Sequence, residues 1–161
     1  MTRWLAALAA VVVFNLTCLV TEPLVPADVV QIDTNSQPTH VITRASEAAA
    51  LWESHGVEFR FDDVGNVILH DISEHAGDGL ISAYWYDSVT GESHVYINQD
   101  TYPINGVCLT ARALGYAIGL GTVESDVPAL MDVGWGIRYD EPCPWSEADA
   151  EALCLVRNLC P

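Results

Sequence analysis

"RALGYAIGLGTVESDVPALMD" runs from Arg112 to Asp132. It reads as a helix that stops on glycine, at Gly119, followed by a loop that a methionine, Met131, closes. Arg112 and Tyr116 stand four residues apart and so share one face of that helix. The face is expected to look toward the loop that carries Thr122, Glu124, Asp126 and Met131. A guanidinium buried there needs acceptors, and an acidic side chain of the loop or Asp132 is expected to supply one. The stretch has no histidine, and its carboxylates all lie beyond the helix.

Outward from this stretch the chain alternates strands and helices. "VVQID" (Val29 to Asp33) is a strand. "VITRASEAAALWESHG" places Val41, Ala45, Ala48, Ala49 and Trp52 at helical spacing, with Gly56 where a C-terminal cap belongs. "VEFRF" alternates Val57, Phe59 and Phe61 onto one face of a strand, and "VILHDI" is the next strand. "LISAYWYDSVTGESHVYIN" is a hairpin around a "DSVTGE" turn. "VCLTARALGYAIGLG" is the central helix. The last helix lies in "EPCPWSEADAEALCLVRNL", with Ser146 as N-cap, Asp149 as a first-turn acid and Pro144 just ahead. Helices on a mixed sheet make an α+β domain.

Composition narrows the function. The chain has 161 residues, which suits one domain after a leader. Arg3 precedes an apolar run from Trp4 to Phe14, broken by Asn15 and Thr17, which fits a secretory signal better than a membrane anchor. Residues 1–27 are therefore expected to be a signal peptide and short leader, and residues 28–161 the domain. Cys18 falls in the leader, where "NLTC" is a poor match to a lipidation signal. Cys108, Cys143, Cys154 and Cys160 remain, an even number that in an oxidising compartment predicts two disulfides of undetermined pairing. None of these cysteines shows the C-x-x-C spacing of a zinc knuckle. The location expected is secreted, periplasmic or extracellular. Twenty-two acids face six basic residues, all arginine, for a net charge of −16. That excludes nucleic-acid binding, disfavours anionic lipid, and suits solubility or a basic partner.

The stretch from Arg112 resembles the metzincin clan of zinc peptidases, and most closely the matrixin-like ones. Their motif is H-E-x-x-H-x-x-G-x-x-H followed by a methionine turn. Arg112 stands at the first histidine position, Ala113 at the glutamate, Tyr116 at the second histidine and Thr122 at the third. Gly119 keeps the helix-ending position, and Met131 that of the methionine turn. The similarity is collinear from "VVQID" through "ASEAAALWESHGVEFRFDD" and "VILHDIS" to the final helix. It implies a zincin-like fold, with a five-stranded mixed twisted sheet and about three helices. It also implies that "GESHVYIN" is the edge strand bordering a substrate cleft, so that Ser93, His94, Val95 and Tyr96 would line it.

The departures govern the chemistry that is expected. Neutral imidazole ligates zinc, whereas arginine keeps its proton and repels a cation. Alanine cannot act as a general base. No zinc is expected, and a structural calcium is an open reading for Asp71, Glu74 and Asp78 in "HDISEHAGDG". His70 and His75 could share a structural metal with those acids, while His70 and His94 otherwise read as isolated histidines. The reading is a secreted pseudoprotease that binds a peptide or protein by adding a strand to the sheet. Two other readings stay open: a metallopeptidase with a non-standard metal set, and an interaction domain retaining only the core.

Overall fold

Alternation of apolar and polar residues builds one face of the sheet. Val30 and Ile32, Phe59, Val67 and Leu69, and Val95 and Ile97 are buried, while the residues between them are exposed or half-buried. The computed structural model describes residues 29–73, 82–98, 103–132 and 142–160. The expected leader, with Cys18, lies outside the described residues, as do Glu74, His75 and Asp78.

The elements run β1 (Val29–Asp33), α1 (Thr39–Glu53), β2 (Glu58–Asp62), β3 (Val67–Asp71), β4 (Ser82–Asp87), β5 (Glu92–Ile97), α2 (Pro103–Ala117) and α3 (Glu147–Arg157). The strands form one five-stranded sheet in the order β2-β1-β3-β5-β4. β1 pairs in parallel with β2 and β3, β3 pairs in parallel with β5, and only β4 is antiparallel. This is the α+β architecture expected, with a mixed sheet and three helices among the described residues.

The topology corrects one expectation. β5 is not an edge strand, because β3 and β4 flank it on both sides. Its main-chain groups are committed to those neighbours along the registers Val67↔Ser93 to Asp71↔Ile97 and Ser82↔Ile97 to Asp87↔Glu92. Among the described residues the edges are β2 and β4. The hairpin between β4 and β5 turns at Asp87, whose carboxylate accepts from the amides of Val89 and Thr90 at 2.8 and 3.4 Å.

α1 and α2 cover the apolar face side by side. Small residues let them approach: Ala45, Ala48 and Ala49 from α1, and Ala111 from α2, are all buried. Trp52 fills the seam and donates from its indole nitrogen to the Ala111 carbonyl at 2.8 Å. Gly115 lies at the same point. A Cβ there would meet Met131 Sδ at 2.5 Å and Trp52 Cζ2 at 2.8 Å. The absent side chain at Gly115 thus makes room for Met131 and Trp52 together.

The expected two disulfides are present, paired Cys108–Cys143 and Cys154–Cys160. The first links α2 to the segment before α3, and the second closes a short ring over the end of α3. Ser146 caps α3 and forms a capping box with Asp149. Trp145 packs edge-on to Trp52 with ring centroids 5.3 Å apart. Among the described residues no helix is long and apolar enough to cross a membrane.

Replacing Gly115 by alanine should destabilise the protein by about 1–3 kcal/mol through overpacking against Met131 and Trp52. Urea titration reads this as a lower midpoint at unchanged slope. An unchanged midpoint would mean that this contact is slack.

Candidate functional site

The site grows from the end of α2. The amide of Gly119 donates to the Tyr116 carbonyl and that of Leu120 to the Gly115 carbonyl, both at 3.0 Å. With Gly119 at φ 95°, this is the paired-bond helix stop for which glycine is suited. It turns the chain so that residues 120–132 come back along the helix.

That loop is closed on itself. The Val123 amide donates to the Met131 carbonyl at 3.3 Å, and the Ser125 amide to the Asp132 carboxylate at 3.2 Å. Ala129, Leu130, Met131 and Asp132 are buried at its closing end. Buried backbone needs partners, and two side chains of opposite charge supply them. Arg112 donates from Nε to the Leu130 carbonyl at 2.6 Å and from Nη2 to the Asp132 carbonyl at 3.0 Å. Asp149, which is fully buried, accepts from the amides of Leu130 and Met131 at 2.9 Å each. Asp149 also accepts from the Ser146 amide at 2.9 Å and the Ser146 hydroxyl at 3.1 Å. The Met131 segment is therefore held by a cation through its carbonyls and by an anion through its amides.

The partners of Arg112 differ from those expected. Its guanidinium bonds to carbonyl oxygens that flank Met131, while the Asp132 carboxylate accepts from Ser125. Planar N–H groups reach both carbonyls at once, which a single carboxylate off the turn would not match. Burial pulls the Arg112 pKa down, opposed by Tyr116, Asp132 and Asp149. Burial pushes the Tyr116 pKa up, opposed by Arg112.

The other positions of the motif do not converge on a metal. Ala113 is buried in the core. Tyr116 lies under the edge strand, its ring 5.8 Å from that of Tyr84 on β4. The Tyr84 hydroxyl is 3.4 Å from Ser93 Oγ. Thr122 is exposed and lines a groove against α3. No hydrogen bond joins Thr122 to Arg112 or Tyr116 among the described residues. These side chains do not fit a zinc ion, because a guanidinium bonded to backbone carbonyls occupies the helix face where the first imidazole would project. Among the described residues no three His, Cys, Asp or Glu side chains are grouped to hold a metal.

The substrate residues expected on β5 divide between the two faces of the sheet. Ser93 and Val95 are buried toward the helices, and His94 and Tyr96 are half-buried on the opposite face. There they meet an unforeseen partner. His70 Nε2 and His94 Nδ1 are 2.8 Å apart, one ring donating to the other. The register of β3 on β5 makes the pair, since it sets His70 beside Tyr96 and Ile68 beside His94. The rings continue into a stack: Trp85 on His94 at 5.1 Å, His94 on His70 at 5.1 Å and His70 on Tyr96 at 4.7 Å. These histidines are not isolated, but the sheet separates them from Arg112. Of the calcium candidates only Asp71 is described. Its carboxylate takes Ser73 amide and hydroxyl at 2.9 and 2.6 Å on one oxygen and His40 at 2.9 Å on the other. Burial pushes the Asp71 pKa up, but the bonds from Ser73 and His40 outweigh it and hold it below the ordinary value.

No family model matches the chain, and no curated protein matches it. Among solved structures it is similar to that of myroilysin, a metalloprotease, at 12% identity and a TM-score of 0.42, covering 84% of this chain and 69% of that one. A likeness of that size assigns no role to any residue.

Two outcomes test this geometry. Asp149→Ala strands buried amides and should cost about 3–5 kcal/mol, and Arg112→Ala about 1–3 kcal/mol. Thermal melts with a double-mutant cycle should show the two effects as non-additive, because both act on residues 130–132. Independent effects would refute a shared clamp. His70 titrates below its ordinary 6.5, because burial, and secondarily His94, disfavour its charged form. The unfolded chain then binds the proton first, so this stabilisation is complete above the unfolded pKa and lost as pH falls through the folded one. His70→Gln should flatten the melting temperature between about pH 7 and pH 5. An equally steep profile in that variant would assign the pH response elsewhere.

Proposed function

We propose that this chain is a secreted, non-catalytic relative of the metzincin peptidases that binds an extended peptide or protein segment. One observation carries the non-catalytic part. The Arg112 guanidinium, on the helix face of the first zinc-ligand position, is bonded to the Leu130 and Asp132 carbonyls on either side of Met131. A fixed positive charge there repels a metal cation, and Ala113 brings no base. The histidines within the described residues have other partners: His40 with Asp71, His55 stacked on Trp145, and His70 with His94.

Binding is supported by what lies above the helix. Among the described residues β4 is an antiparallel edge strand with a strand neighbour on one side only. Such an edge offers main-chain donors and acceptors to an added strand. Tyr84 projects from it toward Tyr116, so a peptide laid along β4 would pass beside the remnant of the motif. The ligand edge is thus β4. Secretion is supported by the two disulfides, which persist in oxidising compartments.

The test restores the lost chemistry. Wild-type protein should bind zinc far below stoichiometry and leave casein intact. A variant with Arg112→His, Ala113→Glu, Tyr116→His and Thr122→His should bind zinc near one per chain, read by metal analysis after dialysis. Chelator-sensitive, stoichiometric zinc in the wild type would instead establish an active metal site. A folded quadruple variant that takes no zinc would show that the motif is misplaced on this helix.

A further inference from the structure

α3 carries more apolar surface than its packing uses. Its buried face is Asp149, Leu153 and Arg157. A second stripe, Ala148, Ala152 and Leu155 with Glu151 beside them, repeats at helical spacing outside that face, and of these Ala152 is half-buried against the edge of the core. Leu155 is 80% exposed, although it is a leucine in a regular helix. The stripe forms one wall of a groove of about 260 Å³, and the loop after Gly119 forms the other, through Val123 and Glu124. Alanines at 148 and 152 keep that wall low, so the groove exists because those side chains are small. The lining is mostly apolar, with Glu124 and Glu151 as its acids. Neither glutamate has an ion pair among the described residues.

The occupant follows from size and charge. The volume is below that of ordinary small-molecule pockets and suits one or two apolar side chains. A second copy of this chain would bring another −16 of charge to a rim that is already acidic. Nucleic acid and anionic lipid are repelled for the same reason. A segment that places an apolar side chain between Val123 and Ala152 and basic side chains beside Glu124 and Glu151 meets neither objection. We propose that the groove between α3 and the loop after α2 docks a basic, amphipathic segment of a partner protein, a binding surface separate from the β4 edge. The exposed Leu155 extends the contact to a second apolar residue of that segment. The rim glutamates steer the partner and fix its register, while the buried apolar contact holds it.

The experiment uses isotope-labelled protein and two synthetic peptides of equal length with the same leucines. One peptide carries arginine at the intervening positions and the other glutamate. The arginine peptide should shift amide signals of residues 121–124 and 148–156, and the glutamate peptide should not. Glu124→Gln with Glu151→Gln should weaken binding about tenfold, with a shallower salt dependence. Ala152→Arg, which fills the groove and inverts its charge, should abolish binding. These residues are exposed or lie on the groove wall, so unchanged thermal melts confirm that the variants are folded. Shifts confined to other residues, or equal binding of both peptides, would overturn the proposal. So would no shift with the arginine peptide, or full affinity in the double glutamine variant. A wild-type dimer that Ala152→Arg dissociates would assign the groove to self-association instead.

Discussion

The turn at residues 129–132 depends on two side chains of opposite charge, the half-buried Arg112 and the fully buried Asp149. Arg112 takes the carbonyls of Leu130 and Asp132, and Asp149 takes the amides of Leu130 and Met131. A buried charge is stable only when it is paired and hydrogen-bonded. Here the pairing runs through the peptide groups of one turn, so neither ion is isolated and neither carbonyl nor amide is orphaned. The turn cannot move away from either helix without stranding a charge. That constraint seats Met131 against Gly115 and Trp52.

On the reading proposed above, the clamp stands where a metal site would otherwise hold the helix to the following loop. At such a site the ion would tie the helix to the chain beyond its glycine stop. In this chain that tie is made by an arginine on the helix itself, one turn before Tyr116, and the loop closes through Val123 and Ser125. The shape of the turn is kept by these hydrogen bonds. The two surfaces proposed for binding, the β4 edge and the low wall of α3, lie outside this turn.

Local signals made much of this legible in the sequence. The alternation in "VEFRF", the helix stop at Gly119, and the cap at Ser146 each depend on residues a few positions apart, and each stands where it was read. The rest required knowledge of distant neighbours. The hairpin turn says that β4 and β5 pair, but not which of them also pairs with β3, and only the resemblance made β5 the edge. His70 and His94 are 24 residues apart and meet only because β3 and β5 run in parallel register. Asp149 presented itself as an ordinary first-turn acid. Nothing in "SEAD" reports that its carboxylate also reaches a turn 18 and 19 residues earlier in the chain.

α2 has a second property that becomes visible once its partners are set side by side. Cys108, Arg112 and Gly115 follow one another along a single stripe of that helix, and each meets the chain beyond residue 129: Cys143, the Leu130 and Asp132 carbonyls, and Met131. The helix is thus a party wall, with the sheet on one side and residues 129–132 and 142–143 on the other. The contacts of those residues with the wall are non-local. The loop and α3 should behave as one cooperative unit, opening and closing as a block while the sheet stays intact. Hydrogen exchange would report this as a common protection level for buried amides of the loop and α3, lower than that of β1 and β3. A spread of unrelated levels across residues 123–132 and 146–157 would show that the block is not a unit.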